Sequence, residues 1–195
     1  MEAWDPGAEI GHDCAAMHVR RADPARDAES VASIYGPAVE ASIATFEEVA
    51  PTAAEMAERM RSTLLRTPWL VAEDDGQVVG YAYASRHHER SGYRWSVDIS
   101  VYVARGFARR GIGRLLYAEL VAILRRQGFV NVYAGIALPN VASVALHEGI
   151  GMRLVGTYER VGFKLGAWHD VAWYGMRLMD PDGPPPEPIR LPELP

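Results

Sequence analysis

Cysteine is almost missing from this chain of 195 residues: Cys14 stands alone, so neither an intrachain disulfide framework nor a cysteine metal centre can form. A reducing compartment suits such a sequence. Long apolar runs are missing too, since nowhere do about 18 apolar residues follow one another, and no membrane-spanning helix is expected. The first residues, Met1 to Gly7, carry neither a basic start nor an apolar stretch, which speaks against a secretory signal. These absences predict a soluble, cytoplasmic protein. Net positive charge is lacking as well: the formal charge is −5, so the broad basic face that binds nucleic acid is not expected. His87, His88, His147 and His169 show no zinc spacing with cysteine or paired carboxylates, and no metal is expected.

What is present fits one domain, because a chain of this length buries roughly 70% of its unfolded surface as a single core and divides poorly into two. Residues 1–16 carry glycines and acids without an apolar period and read as a mobile leader. Residues 17–179 read as the folded domain. Residues 180–195, with seven prolines in sixteen positions, read as an extended tail. Met17 to Arg21 suits a short strand, and Asp23 or Asp27 can cap a helical segment from Ala28 to Tyr35 that Pro37 ends or bends. Glu40 to Val49 reads as a loop or broken helix, and Pro51 to Arg66 as a helix with Thr52 and Glu55 at capping-box spacing. Trp69–Ala72 and Val78–Ala84 flank an Asp-Gly turn and predict a hairpin. Branched and aromatic residues make Tyr93 to Val103 a long strand, and Asn131 to Ala137 another. Asn140 can cap a helix from Val141 to Glu148, after which Arg153–Glu159 and Trp168–Leu178 read as the last strands. This order predicts a mixed α/β or α+β sheet covered by helices.

The stretch from Ser100 to Tyr117 organises the rest, because it reads as a strand, a basic glycine loop and a helix. Ile112, Leu115, Leu116, Leu120, Ile123 and Leu124 recur at three- and four-residue steps, so a helix should open at the glycines. Its first N–H groups lack intrahelical partners. Those donors, the helix dipole and Arg105, Arg109, Arg110 and Arg114 suit a phosphate or pyrophosphate. No Lys-Ser or Lys-Thr follows the glycines, which excludes the NTPase loop, and Gly106-x4-Gly111-x-Gly113 is not the dinucleotide fingerprint. Taken alone, the loop is equally compatible with a solvated basic helix start.

Arg109-Arg-Gly-Ile-Gly-Arg114 after Val101-Tyr-Val103 resembles the acetyl-CoA pyrophosphate loop of the GNAT N-acetyltransferases, with Ala108 standing where that pattern has Gln or Arg. The element order matches the same family, whose fold is a twisted mixed sheet of six to seven strands flanked by about four helices. Further blocks, among them Trp69–Glu73, Trp95–Asp98, Leu138–Asn140, Ser143–Glu148 and Gly162–Asp170, are similar to the phosphinothricin N-acetyltransferases from about Val19 to Leu178. The resemblance implies acetyl transfer from acetyl-CoA to a small amine, most simply an amino acid of the phosphinothricin, methionine sulfone or sulfoximine type. It also implies a homodimer.

On that basis Asp98, which interrupts the apolar pattern of its strand, is the implied base, and His147 the implied acid toward the leaving thiolate. Asp98 stands where the family has a longer glutamate, which favours a water relay to the amine. The implied cofactor residues are Ile99, Val101, Tyr102 and Val103 on the strand, Ala108, Arg109, Arg110, Gly111, Ile112, Gly113 and Arg114 in the loop, and Asn140 and Ser143 at the next helix. Phe46, Arg86, Arg90, Tyr93 and Trp95 are the implied substrate contacts, an arginine being able to hold a carboxylate through two parallel bonds. A histidine on a helix, an aspartate in a strand and loop arginines all have structural roles that need no ligand. Two other functions therefore stay open: a non-catalytic acetyl-CoA sensor or docking module, and an acetyltransferase for another amine such as a protein N-terminus or antibiotic.

Overall fold

The computed structural model describes residues 17–195; the leader, with Cys14, lies outside the described residues. Its elements are β1 (His18–Arg21), α1 (Pro24–Ala41), α2 (Ala53–Leu64), β2 (Trp69–Asp74), β3 (Gln77–Arg86), β4 (Ser96–Val103), α3 (Ile112–Gln127), β5 (Asn131–Ala137), α4 (Val141–Gly149), β6 (Arg153–Lys164) and β7 (Ala167–Arg177). The seven strands form one mixed sheet in the order β1-β2-β3-β4-β5-β7-β6. Among the described residues, no helix is long and apolar enough to cross a membrane.

Strand alternation divides the core between the two faces of the sheet. On one face Val97, Ile99, Val132 and Ala134 pack under the α3 stripe of Ile112, Leu116, Leu120 and Leu124. On the other, Val71 and Tyr81 meet Val31, Tyr35 and Val39 of α1 and Met56 and Met60 of α2. Beneath α1, Asp27 is 1% exposed and takes two 2.7 Å bonds from the Arg20 guanidinium. Arg20 also reaches Glu73, so the charges are held in a chain from β1 to β2.

One break in the sheet positions everything that follows. β4 and β5 run parallel and pair only over Ser96–Asp98 with Asn131–Tyr133. Beyond that rung β4 stays with β3 as far as Val103, while β5 follows β7 as far as Ala137. The two strands part like a fork, and the facing edge of β4 is left without ladder partners among the described residues.

Local signals hold at several helix ends. Asp23 caps α1, Thr52 and Glu55 form the reciprocal box on α2, and Asn140 accepts from the Ser143 N–H at 3.1 Å. Other boundaries differ from expectation. Pro37 lies inside α1, which continues to Ala41: burial of Val31, Tyr35 and Val39 along one side outweighs the hydrogen bond that proline forfeits. Asp27 is not the N-cap residue; from inside the first turn its carboxylate takes the Asp23 N–H as well as the Arg20 guanidinium. β4 begins at Ser96, because Ser91–Tyr93 turns as a 3-10 helix first. β6 runs five residues past Glu159, through a bulge, to a two-residue turn in which Leu165 and Gly166 both take positive φ (51° and 78°). That geometry matches the twist of the flanking strands.

The proline-rich tail is extended, apart from a 3-10 turn at Leu191–Glu193, and it is strapped to the domain. Leu191 is 1% exposed, the Gln127 amide donates to the Ile189 carbonyl, and the Trp95 indole donates to Pro186 at 2.7 Å.

Candidate active site

The fork between β4 and β5 opens into a cleft of about 550 Å³. Ile99, Val101, Tyr102 and Val103 line one side, Asn140, Ser143 and His147 another, and Ala108, Arg109, Gly111, Ile112, Gly113 and Arg114 close one end. Of the residues expected at a cofactor, Arg110 alone does not line it; its guanidinium lies 4.9 Å from the Phe107 ring centre.

The loop at that end is built for an anion. Arg109 and Gly111 both adopt left-handed backbone (φ 65° and 80°), the kind of alternation that turns amides toward one concavity. Gly111 is the N-cap of α3 and, among the described residues, no side chain caps that helix, so its first-turn N–H groups remain for a ligand. Gly113 serves a different purpose. A Cβ there would stand 3.0 Å from Leu146 Cδ2, so glycine lets α3 close onto α4 at the floor of the cleft.

Asp98 occupies the last rung before the strands part, opposite Tyr133. Its Oδ1 lies 2.7 Å from His87 Nδ1. Burial pushes the Asp98 carboxyl up from its ordinary value, while the hydrogen bond and charge of His87 pull it down less strongly. The imidazole of His87 stacks on Tyr133, centres 4.6 Å apart, and meets the edge of Trp173 at 6.0 Å.

His147 is 4% exposed on α4. Its Nδ1 is 2.7 Å from the Ser143 carbonyl, which can only accept, so in the neutral ring Nδ1 carries the hydrogen. Nε2 then accepts from the Tyr117 hydroxyl at 3.1 Å. Burial lowers the His147 pKa and the Ser143 contact partly offsets that, favouring the neutral ring. Burial drives the Tyr117 phenol far up, so it keeps its proton.

The expected substrate contacts divide. Phe46 lies over β6, where a Cβ on Gly162 would overlap its ring, and with Gly135, Val171 and Trp173 it lines a neighbouring cavity of about 510 Å³. Tyr93 reaches the His87 ring at 6.1 Å. Arg86, however, pairs with Glu89 at 3.1 Å and lines a separate recess, and Arg90 stands exposed in the same loop. Trp95 is turned to the tail, with Arg94 over its ring at 4.0 Å, and walls neither cavity. Sequence reasoning missed Tyr117, Tyr133 and Trp173. Each sits in an apolar or aromatic pattern that reads as core, and only the tertiary fold places Tyr117 against His147 and Tyr133 and Trp173 against His87.

The model of the acetyltransferase (GNAT) domain family matches residues 21–173. Phosphinothricin N-acetyltransferase of Streptomyces viridochromogenes is 39% identical over 166 residues, covering 85% of this chain and 90% of that protein. The L-methionine sulfoximine/L-methionine sulfone acetyltransferase of Salmonella typhimurium is 34% identical over 163 residues, covering 83% and 95%. Among solved structures, a GNAT superfamily phosphinothricin acetyltransferase from Sinorhizobium meliloti in complex with acetyl-CoA has a TM-score of 0.83 at 36% identity, over 89% of this chain and 95% of that one. With a forked sheet, an anion loop at the cleft end and a family match over most of its length, the chain belongs to the GNAT family of acetyl-CoA-dependent N-acetyltransferases.

Proposed function

We propose that this protein acetylates the primary amine of a small amino-acid-like substrate, of the phosphinothricin, methionine sulfone or methionine sulfoximine kind, by direct attack within a ternary complex in the cytoplasm. The observation that carries this reading is Asp98: a partly desolvated carboxylate at the parting of β4 and β5, hydrogen-bonded to His87, whose ring meets the Trp173 that lines the cavity under Phe46. Acetyl-CoA, when bound, supplies the acetyl group as an activated thioester. The amides of the α3 start, with Arg109 and Arg114, are placed to hold its diphosphate. Asn140 and Ser143, which line the same cleft, are the polar side chains assigned to the pantetheine arm. Along the unpaired edge of β4, backbone N–H groups around Tyr102 are donors for a developing oxyanion.

The reaction also needs protons moved in two directions. Asp98 with His87 serves the amine side; toward the departing thiolate the Tyr117 hydroxyl is the proton donor, and His147, whose own ring hydrogen is held by the Ser143 carbonyl, orients that hydroxyl through Nε2. Trp173 lines the Phe46 cavity, and its indole N–H is buried without a partner among the described residues. A carboxylate or phosphinate oxygen of the substrate can use that donor. The relatives named for phosphinothricin and for methionine sulfoximine both act on α-amino acids with a polar, oxygen-bearing side chain, which fits this cavity.

The test is thiol release from acetyl-CoA in the presence of an amine panel: phosphinothricin, methionine sulfone, methionine sulfoximine, an alanine-ended peptide and an aminoglycoside. Release with the amino acids and little with the others is expected. Calorimetric binding of acetyl-CoA without release for any amine would identify a sensor instead.

The reading includes a homodimer, with residues 17–179 as the catalytic domain and 180–195 as its strap. Leu154, Val155, Tyr158, Val161, Phe163 and Trp168, each between 52% and 66% exposed, make β6 and β7 an apolar surface too continuous for a free edge. Changing Val155 and Val161 together to Glu should convert a dimer to a monomer in light scattering. If the doubly substituted protein keeps the mass of the wild type, that face is not the interface.

A further inference from the structure

We propose that His87 is the group that takes the proton from the substrate amine, and that Asp98 acts by holding the His87 ring; the assignment rests on the acetyl-transfer reading above. His87 Nδ1 and Asp98 Oδ1 are 2.7 Å apart. An ionised carboxylate can only accept, so Nδ1 carries the hydrogen and the lone pair of the neutral ring is on Nε2. A carboxylate engaged in this way is oriented to support a charge on the imidazole. The ring is fixed on three sides: stacked on Tyr133 at 28°, edge-on to Trp173 at 86°, and beside Tyr93. About a quarter of its side chain, 26%, is open.

The ring stands beside the closed end of the fork and against one wall of the cavity under Phe46. Tyr133 forms the last parallel rung with Asp98, and Trp173 lines the cavity under Phe46. The titratable groups facing the ring are Asp98 from β4, Tyr133 from β5 and Tyr93 from the 3-10 turn, with Arg86 and His88 as its chain neighbours. In the step itself an N–H bond of the substrate ammonium breaks and its electron pair stays on nitrogen. The proton joins Nε2, the resulting imidazolium is neutralised by Asp98, and water later removes that proton. No further reactant is needed.

A purely structural role would have His87 pin its loop to β4. His87→Asn separates the two roles, because its amide N–H can still reach Asp98 while Nε2 is gone; His87→Ala removes both. With the best amine of the panel, His87→Asn should lose about 10²-fold or more in kcat/KM while acetyl-CoA affinity stays within about twofold. The acid limb of the wild-type pH profile should disappear. Imidazole added to His87→Ala should restore part of the rate, provided circular dichroism shows that the variant folds. If His87→Asn keeps kcat/KM within about tenfold and retains the acid limb, His87 is a structural tether and the proposal fails. A wild-type protein that acetylates no amine would instead overturn the underlying acetyl-transfer reading, and this assignment with it.

Discussion

Replacing Asp98 by asparagine is expected to lower kcat/KM by about 10²–10⁴-fold while leaving the dissociation constant of acetyl-CoA near its wild-type value. The asymmetry follows from position. Asp98 sits at the closed end of the fork and does not line the cleft that takes the cofactor, whereas its carboxylate is the partner of His87. The substitution removes the negative charge, and an asparagine amide can donate to His87 Nδ1, moving the ring hydrogen to Nε2 where a base is needed. In serine-protease triads the same loss of orienting charge costs about 10⁴ in kcat, so the upper part of the range is within reach. Steady-state kinetics and calorimetry on one preparation check both halves of the expectation. A variant whose rate and cofactor affinity fall together would point to a folding defect, and one with an unaltered rate would remove Asp98 from the mechanism.

The second large effect is on stability. Asp27→Ala should destabilise the protein by about 3 kcal/mol, the low end of what breaking a buried charge pair costs, because Arg20 keeps Glu73 as a second partner. Urea unfolding followed by tryptophan fluorescence measures it. The change also has a pH signature. Burial on its own would raise the Asp27 carboxyl, but the Arg20 hydrogen bonds, the Asp23 N–H and the charges of Arg20 and Arg26 outweigh it and hold the group below its ordinary value. A carboxylate depressed in the folded state stabilises above its unfolded pKa and loses that contribution as pH falls through the folded one. The gap between wild type and variant should therefore be constant near neutrality and narrow below about pH 4. A gap that instead widens on acidification would contradict this assignment.

Much of the fold was legible because its signals are local. The Thr52–Glu55 box, the Asn140 cap, the Asp-Gly turn and the apolar steps of α3 each declare themselves within a few residues, and each is found in place. Boundaries were misread where distant packing decides. Pro37 is carried inside a helix by the burial of Val31, Tyr35 and Val39 against Val71 and Tyr81, about forty residues away in the chain. β6 runs on to Lys164 because β7 pairs with it, a fact no window of β6 contains.

The candidate site divides along the same line. The anion loop could be read directly, since glycine, arginine and helix periodicity lie next to one another in the chain, and the expectation of an N-acetyltransferase came from the resemblance of that loop, the element order and the further blocks to the family. Which polar residues meet around the site depended on the tertiary pairing. The register of β3 on β4 sets His87 beside the Asp98 carboxylate, the approach of α3 to α4 joins Tyr117 to His147, and the tail takes Trp95 while Arg86 lines another recess. Spacing along a chain encodes the helices, turns and backbone donors that a short segment can build by itself. The meeting of side chains from β3, β4, β5, α3 and α4 is a property of the assembled sheet, because the burial energy that chooses those neighbours is shared across the whole core.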